Sequence, residues 1–228
     1  MVDLDDVRRI VGERHVVDGA ALSGRPQDFW VHTPTAALGL AKPKDVQELS
    51  ALLALCHQEG QPVIVEGGRT NLVGATQSTG ETLLVSLERL NDIAVPDRQG
   101  MTVEVGVGAI IETIQQRCAT DGLRFGLDFG ARGSATLGGA LSTNAGGFQA
   151  LRYGVARDQV LGLECVLADG TVLSHLSSFV KDNTGYDLKH LFIGSEGTLG
   201  VITRAVLRLH PAPQSVNTAL LAFETFEA

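Results

Sequence analysis

Three stretches of this 228-residue chain concentrate glycine: Glu66-Gly67-Gly68-Arg69-Thr70-Asn71-Leu72-Val73-Gly74-Ala75, the run from Gly130 to Gly147, and Gly194-Ser195-Glu196-Gly197-Thr198-Leu199-Gly200. No other feature restricts the fold as much. Glycine inside a helix or strand costs roughly 0.5–1 kcal/mol relative to alanine. A dense run therefore serves a turn through positive φ, or the close approach of another group to the main chain. The chain holds 27 glycines, about 12%, against an ordinary share near 7%. They cluster without a period, which excludes collagen and points to sites built from backbone.

Each stretch has two readings. The first follows a strand; Gly67 and Gly68 let amides converge on an anion, Thr70 and Asn71 add side-chain donors and Arg69 adds charge, as in a phosphate cradle. It also reads as an ordinary glycine turn. In the second, Ser134 is the expected N-cap of a short helix in which Leu137 and Leu141, four apart, face the core. Gly138 and Gly139 inside that helix suit a closely approaching ligand, with Asn144 to Gly147 as a further backbone surface; they equally suit tight helix packing. The third lies between a helix and a strand, and reads also as a helix C-cap followed by a strand start.

The segments between supply the frame. Residues 1–35 read as a mixed leader with a helix near Asp5–Val11. A helix begins near Pro43, with Val46, Leu49, Leu53 and Cys56 at helical spacing and Gly60 as its stop. Pro62–Glu66 and Thr82–Ser86 read as strands, which with that helix predicts a small parallel sheet. Past residue 100 the texture changes. Met101–Val107 alternates, Ala109–Asp121 is helical, and Val160–Ala168 and Thr171–Ser174 flank Asp169-Gly170, a hairpin signal whose two turn positions call for positive φ. A short helix over Asp187–Phe192 and a strand over Val201–Leu209 follow. The fold class is α+β. Pro211 and Pro213 break the chain, and Thr218–Phe223 reads as a new strand, so residues 214–228 are expected to begin a further domain.

Composition removes several classes. Eighteen basic against 26 acidic side chains leave a net charge of −8, unlike proteins that coat nucleic acid. Cys56, Cys118 and Cys165 are an odd, dispersed set, so neither a disulfide framework nor a zinc ribbon is expected. No stretch approaches the ~18 apolar residues of a membrane span, and MVDLDDVRRI lacks a secretory apolar core, so a reduced, cytoplasmic protein is expected. GxGxxG after a strand, GxxxxGK[ST], HExxH and GxSxG are all absent. The histidines (His15, His32, His57, His175, His190, His210) never fall at metal spacing and read as surface or core residues; no metal site is expected.

Taken together, PVIVEGGRTNLVGA at 62–75, GSATLGGALSTNAGG at 133–147, LRYGVARDQVLGLECVLADGT at 151–171 and KDNTGYDLKHLFIGSEGTLGVIT at 181–203 resemble the flavin-binding domain of the vanillyl-alcohol-oxidase/p-cresol-methylhydroxylase superfamily. Within it, the likeness is to the D-2-hydroxyacid dehydrogenases, those acting on D-lactate, glycolate or D-2-hydroxyglutarate. The resemblance runs through residues 36–213. It implies two α+β subdomains, about 36–100 and 101–213, clasping FAD. By position, Gly67, Gly68, Arg69, Thr70, Asn71 and Gly74 would hold the pyrophosphate through the loop's amides. Gly138, Gly139, Asn144, Ala145, Gly146 and Gly147 would line the pyrophosphate, ribityl chain and flavin ring, with Gly133, Ser134 and Thr136 also counted as cofactor-binding. Glu196, Gly197, Gly200 and Ile202 would lie near the ribityl and adenine portions. The sequence departs from the family pattern at Asn71 and Ala75 (often glycine), Gly126 (commonly proline) and Ala140 (commonly asparagine). A β-carbon at Ala75 costs about 1 kcal/mol if positive φ is required there. Positions 66–75 hold no histidine, so the FAD is expected to be non-covalent.

The resemblance implies the FAD-binding part of a dehydrogenase that passes hydride from substrate C2 to flavin N5, with a 2-hydroxyacid and an electron acceptor as partners of the complete enzyme. No residue here matches a catalytic base, and the chain alone is expected to turn over little. An enolpyruvyl-sugar reductase of the same fold and a non-catalytic flavin-binding subunit are the alternatives.

Overall fold

The computed structural model describes residues 1–30, 33–223 and 225; His32 and most of the last five residues lie outside them. Helix α1 (Leu4–Val11) opens on Asp3, whose carboxylate accepts the Asp5 N–H at 2.9 Å, and buries Val7 and Val11. Strands β1 (Val16–Asp18) and β2 (Gly39–Ala41) follow. Helix α2 (Val46–Gln58) starts three residues past Pro43 because Asp45 caps it, accepting the Glu48 N–H at 2.8 Å. Strands β3 (Val63–Glu66) and β4 (Leu83–Ser86) complete a sheet of order β1-β2-β4-β3. The pairs β2–β4 and β3–β4 are parallel, as the strand–helix alternation predicts. The segment read as a leader supplies the antiparallel edge strand β1, and Val2, Val7 and Val11 sit in the main core.

The second half holds β5 (Thr102–Gly106), α3 (Ile111–Ala119), β6 (Leu123–Arg124), α4 (Leu137–Ser142), α5 (Ala150–Tyr153), β7 (Val160–Val166), β8 (Val172–His175), α6 (Lys189–Phe192), β9 (Val201–Arg208) and β10 (His210–Pro211). Its sheet runs β5-β9-β7-β8 with every pair antiparallel, and β6 pairs β10 beside it. One buried cluster joins Leu49 and Leu52 of α2 to Val105, Ile114, Leu141 and Leu207 of the second half. The Ser50 hydroxyl donates to the Gly170 carbonyl at 2.6 Å across the same junction. Burial at about 25 cal/mol per Å² is what holds the two sheets together.

Two local expectations are corrected. The β7–β8 hairpin forms, but only Gly170 takes positive φ (+88°); Asp169 instead accepts the Thr171 N–H at 2.9 Å. Bonds Gly170 N–H to Leu167 O and Leu167 N–H to Thr171 O make a turn with a glycine bulge, one residue longer than the two-residue hairpin. Thr218–Phe223 is not a strand: it is exposed and pairs with no other strand among the described residues. An extended segment without a neighbour has no ladder to satisfy its amides.

Candidate functional site

The three glycine stretches meet around α4. The first packs on the second: a β-carbon at Gly67 would fall 2.2 Å from Thr136 Oγ1, and one at Gly68 would fall 2.1 Å from the Ser134 carbonyl. The third docks at the other end of α4, where Gly194 N–H donates to Leu141 O at 3.0 Å and Glu196 N–H to Ser142 O at 2.9 Å. The helix is capped by Thr136, whose hydroxyl accepts the Gly139 N–H at 3.5 Å, and not by the expected Ser134, whose hydroxyl turns back to Ala131 O. Leu137 and Leu141 are fully buried, as their spacing requires.

Among the described residues four non-glycine residues take positive φ, and three of them fall one in each stretch: Arg69 (+53°), Asn144 (+48°) and Glu196 (+53°). Left-handed conformations at such residues cost of the order of 1–3 kcal/mol and collect where structure serves a site. Asn144 is steadied by accepting the Arg157 N–H at 2.9 Å. Arg69 donates to the Pro26 carbonyl at 2.6 Å. Its guanidinium is held below the usual arginine pKa, first by burial and then by repulsion from Arg25, yet it stays cationic. Arg25 in turn forms a two-pronged ion pair with Glu66, which is only 3% exposed.

The amides of the first loop are the notable feature. From Gly68 to Leu72 none of the backbone N–H groups donates to a protein acceptor among the described residues. Successive amides turned through a left-handed residue form a concave anion-binding nest. The Asn71 side chain is not part of that donor set. Its oxygen accepts Val73 and Ala75 N–H groups, and its amide donates to Thr76, so it shapes the loop. Positive φ falls on Gly74 (+73°) and not on Ala75, so the alanine there carries no strain. Amides of Gly146, Gly147, Gly197, Leu199 and Gly200 are also unspent among the described residues.

The glycines divide by what surrounds them. Gly139, Gly146 and Gly197 are exposed, and added β-carbons there meet nothing nearer than 3.7 Å, so their main chain is open to a ligand. Gly133 is exposed too, with Glu112 at 3.3 Å. Gly138 faces inward: its β-carbon would stand 3.0 Å from Val107 Cβ, and its N–H is already given to Val107 O at 2.8 Å. Gly200 is held against the Val166 carbonyl at 2.9 Å. Ile202 is a core residue of β9, 3% exposed. Ala145 is half-buried, its N–H given to Ala140 O, and Thr70 lies within the free-amide run.

A cavity of about 320 Å³ lies between β3, α2 and the third stretch, lined by Val63, Val65, Leu53, Cys56, Thr198 and Leu199 among others. A larger one, about 780 Å³, opens elsewhere, between β7, β8 and residues 179–190, and none of the three glycine stretches lines it. Burial pushes the thiols of Cys56, Cys118 and Cys165 up to about 11, so none is poised as a nucleophile. No helix among the described residues is long and apolar enough to cross a membrane.

Comparison with known proteins bears on this geometry. Residues 37–175 match the family described as FAD binding domain. The chain is 42% identical over 226 residues to the mitochondrial D-2-hydroxyglutarate dehydrogenase of Bos taurus, covering 98% of this chain and 41% of that one. It is 37% identical over 232 residues to the D-2-hydroxyglutarate dehydrogenase of Xanthomonas citri pv. viticola, covering 96% and 48%. A putative mitochondrial D-lactate dehydrogenase of Schizosaccharomyces pombe is 37% identical over 233 residues, covering 99% and 44%. Among solved structures, an alkyldihydroxyacetonephosphate synthase superposes with a TM-score of 0.81 at 25% identity, over 93% of this chain and 40% of that chain. The chain thus spans about two fifths to one half of the length of these relatives.

Proposed function

The chain belongs to the FAD binding domain family, and on that premise we propose that it is the FAD-holding part of a D-2-hydroxyacid dehydrogenase. The observation that carries the reading is the unspent run of amides from Gly68 to Leu72. It lies against the second glycine stretch, with arginine charge beside it. A diphosphate needs several N–H donors and little side-chain charge, so the site suits an acidic protein.

The residues present fit the cofactor. Gly68 to Leu72 hold the diphosphate, together with Gly67 and Gly74, which shape the turn. Gly139 and the Asn144–Gly147 surface leave open main chain for the ribityl chain and flavin ring. The third stretch borders the 320 Å³ cavity, whose apolar walls suit the adenine. Gly138, Gly200 and Ile202 support these contacts by packing, with no free side chain to offer. With FAD held here, the site would have two-electron chemistry suited to oxidising a 2-hydroxyacid. This chain's residues bind and orient it; the groups that hold substrate and take the hydroxyl proton are assigned to the part of the enzyme that the relatives have beyond this length. The subdomains are taken as 36–100 and 101–213, one about each sheet. We propose a cytoplasmic location, although the Bos taurus and Schizosaccharomyces pombe relatives are named mitochondrial; three unpaired thiols suit either reducing compartment, and cell fractionation distinguishes them.

The test is direct. The purified chain, mixed with FAD and desalted, retains the flavin absorption bands, and acid precipitation returns all the flavin to the supernatant because no histidine in residues 66–75 attaches it. Loss of colour on desalting contradicts the binding proposal; a coloured pellet contradicts the non-covalent one. The complete enzyme, assayed with a dye acceptor, oxidises D-2-hydroxyglutarate, D-lactate or glycolate; inactivity with all three contradicts the substrate class.

A further inference from the structure

Four basic side chains gather at one end of the second sheet, and no ion pair among the described residues joins any of them to an acid. Arg124 on β6 sits opposite His210 on β10, Arg208 ends β9, and Arg152 lies on α5. The Tyr153 ring is the centre for three of them. His210 packs on it at 4.6 Å between centroids, and the guanidinium carbons of Arg124 and Arg152 stand 5.8 and 5.3 Å from its middle. The ring fits there because residue 126 is glycine: a β-carbon at Gly126 would fall 2.6 Å from Tyr153 Cγ. Burial, and then the charges of Arg208 and Arg152, hold the His210 imidazole below its ordinary pKa.

Six arginines elsewhere in this acidic chain, Arg8, Arg9, Arg25, Arg117, Arg132 and Arg204, each hold a carboxylate. Arg124, Arg152 and Arg208 hold none among the described residues. Arg124 Nε, Arg208 Nε and His210 Nε2 are buried and without any hydrogen-bond partner. Leaving a buried polar group unsatisfied is costly, more so when it is charged. Several such groups converging on one place, with like charges beside them, define a site short of negative charge and of acceptor oxygens. Guanidinium forks meet that need with oxyanions.

We propose that Arg124, Arg152 and His210, assembled on Tyr153, and the neighbouring Arg208 form a binding site for a small doubly charged oxyanion. Among the described residues no hydrogen bond or ion pair joins these side chains to the three glycine stretches, and the proposed site is distinct from the one assigned to the cofactor's diphosphate.

Calorimetric titration of the chain, with FAD present in excess, tests it, using inorganic phosphate in one arm and succinate in the other, each against chloride at matched ionic strength. At least one of the two binds, at one per chain, and the tighter arm says whether the oxygens are those of a phosphate or of a dicarboxylate. Arg152→Gln, an exposed position that folding does not need, weakens that binding roughly tenfold, the loss of one charge-assisted contact. Arg208→Gln weakens it at least as much, and Arg204→Gln, whose partner is Glu104, leaves it unchanged. Circular dichroism checks each fold, and Arg152→Gln alone decides if Arg208→Gln does not fold. The same ordering is expected without FAD, so the result stands apart from the flavin reading. No saturable binding of either anion, or equal affinity in Arg152→Gln and the parent chain, overturns the proposal.

Discussion

Adjacent glycines of α4 should respond oppositely to the same mutation. Gly139 lies in the helix interior, exposed, and an added β-carbon finds only Thr136 Oγ1, at 3.7 Å. Gly139→Ala therefore gains the helix-propensity difference, about 1 kcal/mol, which for a chain this size raises the apo melting temperature by roughly 2–4 °C. The new methyl stands beside the same hydroxyl that Gly67 abuts, on the face assigned to the cofactor. Overpacking a fitted contact costs roughly 1–3 kcal/mol, so the Kd for FAD rises about 5- to 150-fold. Gly138→Ala meets Val107 Cβ at 3.0 Å and Val107 O at 3.3 Å in the core and destabilises by roughly 1–3 kcal/mol. Thermal melts of the apo chain and quenching of flavin fluorescence read both quantities. A Gly139→Ala chain that binds FAD as the parent does, or melts lower than the parent, refutes the division of these glycines into site and fold.

Other consequences follow from the same contacts. Gly68→Ala drives a β-carbon to 2.1 Å from the Ser134 carbonyl, so the first loop lifts off the second stretch and FAD retention on desalting is lost. Arg25→Gln strands the buried Glu66 carboxylate and lowers stability by about 3–5 kcal/mol, read as a fall in the urea midpoint; the double variant with Glu66→Gln recovers part of it. Burial raises the three thiols from 9.0 to about 11. The folded chain keeps protons there that the unfolded chain surrenders, so this stabilisation is whole below pH 9 and is lost as pH rises toward 11. The urea midpoint drops between pH 8 and 10, and Cys118→Ala makes that drop shallower; an equal slope in the variant counts against buried neutral thiols.

Much of the frame was legible because its signals are local. Helical spacing from Val46 to Cys56, alternation from Met101 to Val107 and the apolar run at Val160 each state their own structure. That the glycine stretches converge came from their resemblance to a family, since nothing local says that residue 68 touches residue 134. What each glycine does was hidden, because the residue type is the same whether the neighbour is Val107 or open solvent. The helix cap fell on Thr136 because strand-end bonds from Leu137 and Gly138 to Ala109 and Val107 fix where α4 starts. Thr218–Phe223 has strand composition, but β-structure needs a partner and composition cannot supply one. The strained residues Arg69, Asn144 and Glu196 gave no sign in sequence except asparagine's tolerance of left-handed φ.

The central claim is that main-chain N–H groups left unspent by the fold grip the diphosphate of FAD. Amide hydrogen exchange, measured residue by residue with and without FAD, tests it most directly. The account predicts slowed exchange from Gly68 to Leu72 and at Gly146, Gly147, Gly197, Leu199 and Gly200, with Ala145 and Gly138, already bonded, little changed. Bound FAD with exchange from Gly68 to Leu72 as fast as in its absence contradicts it.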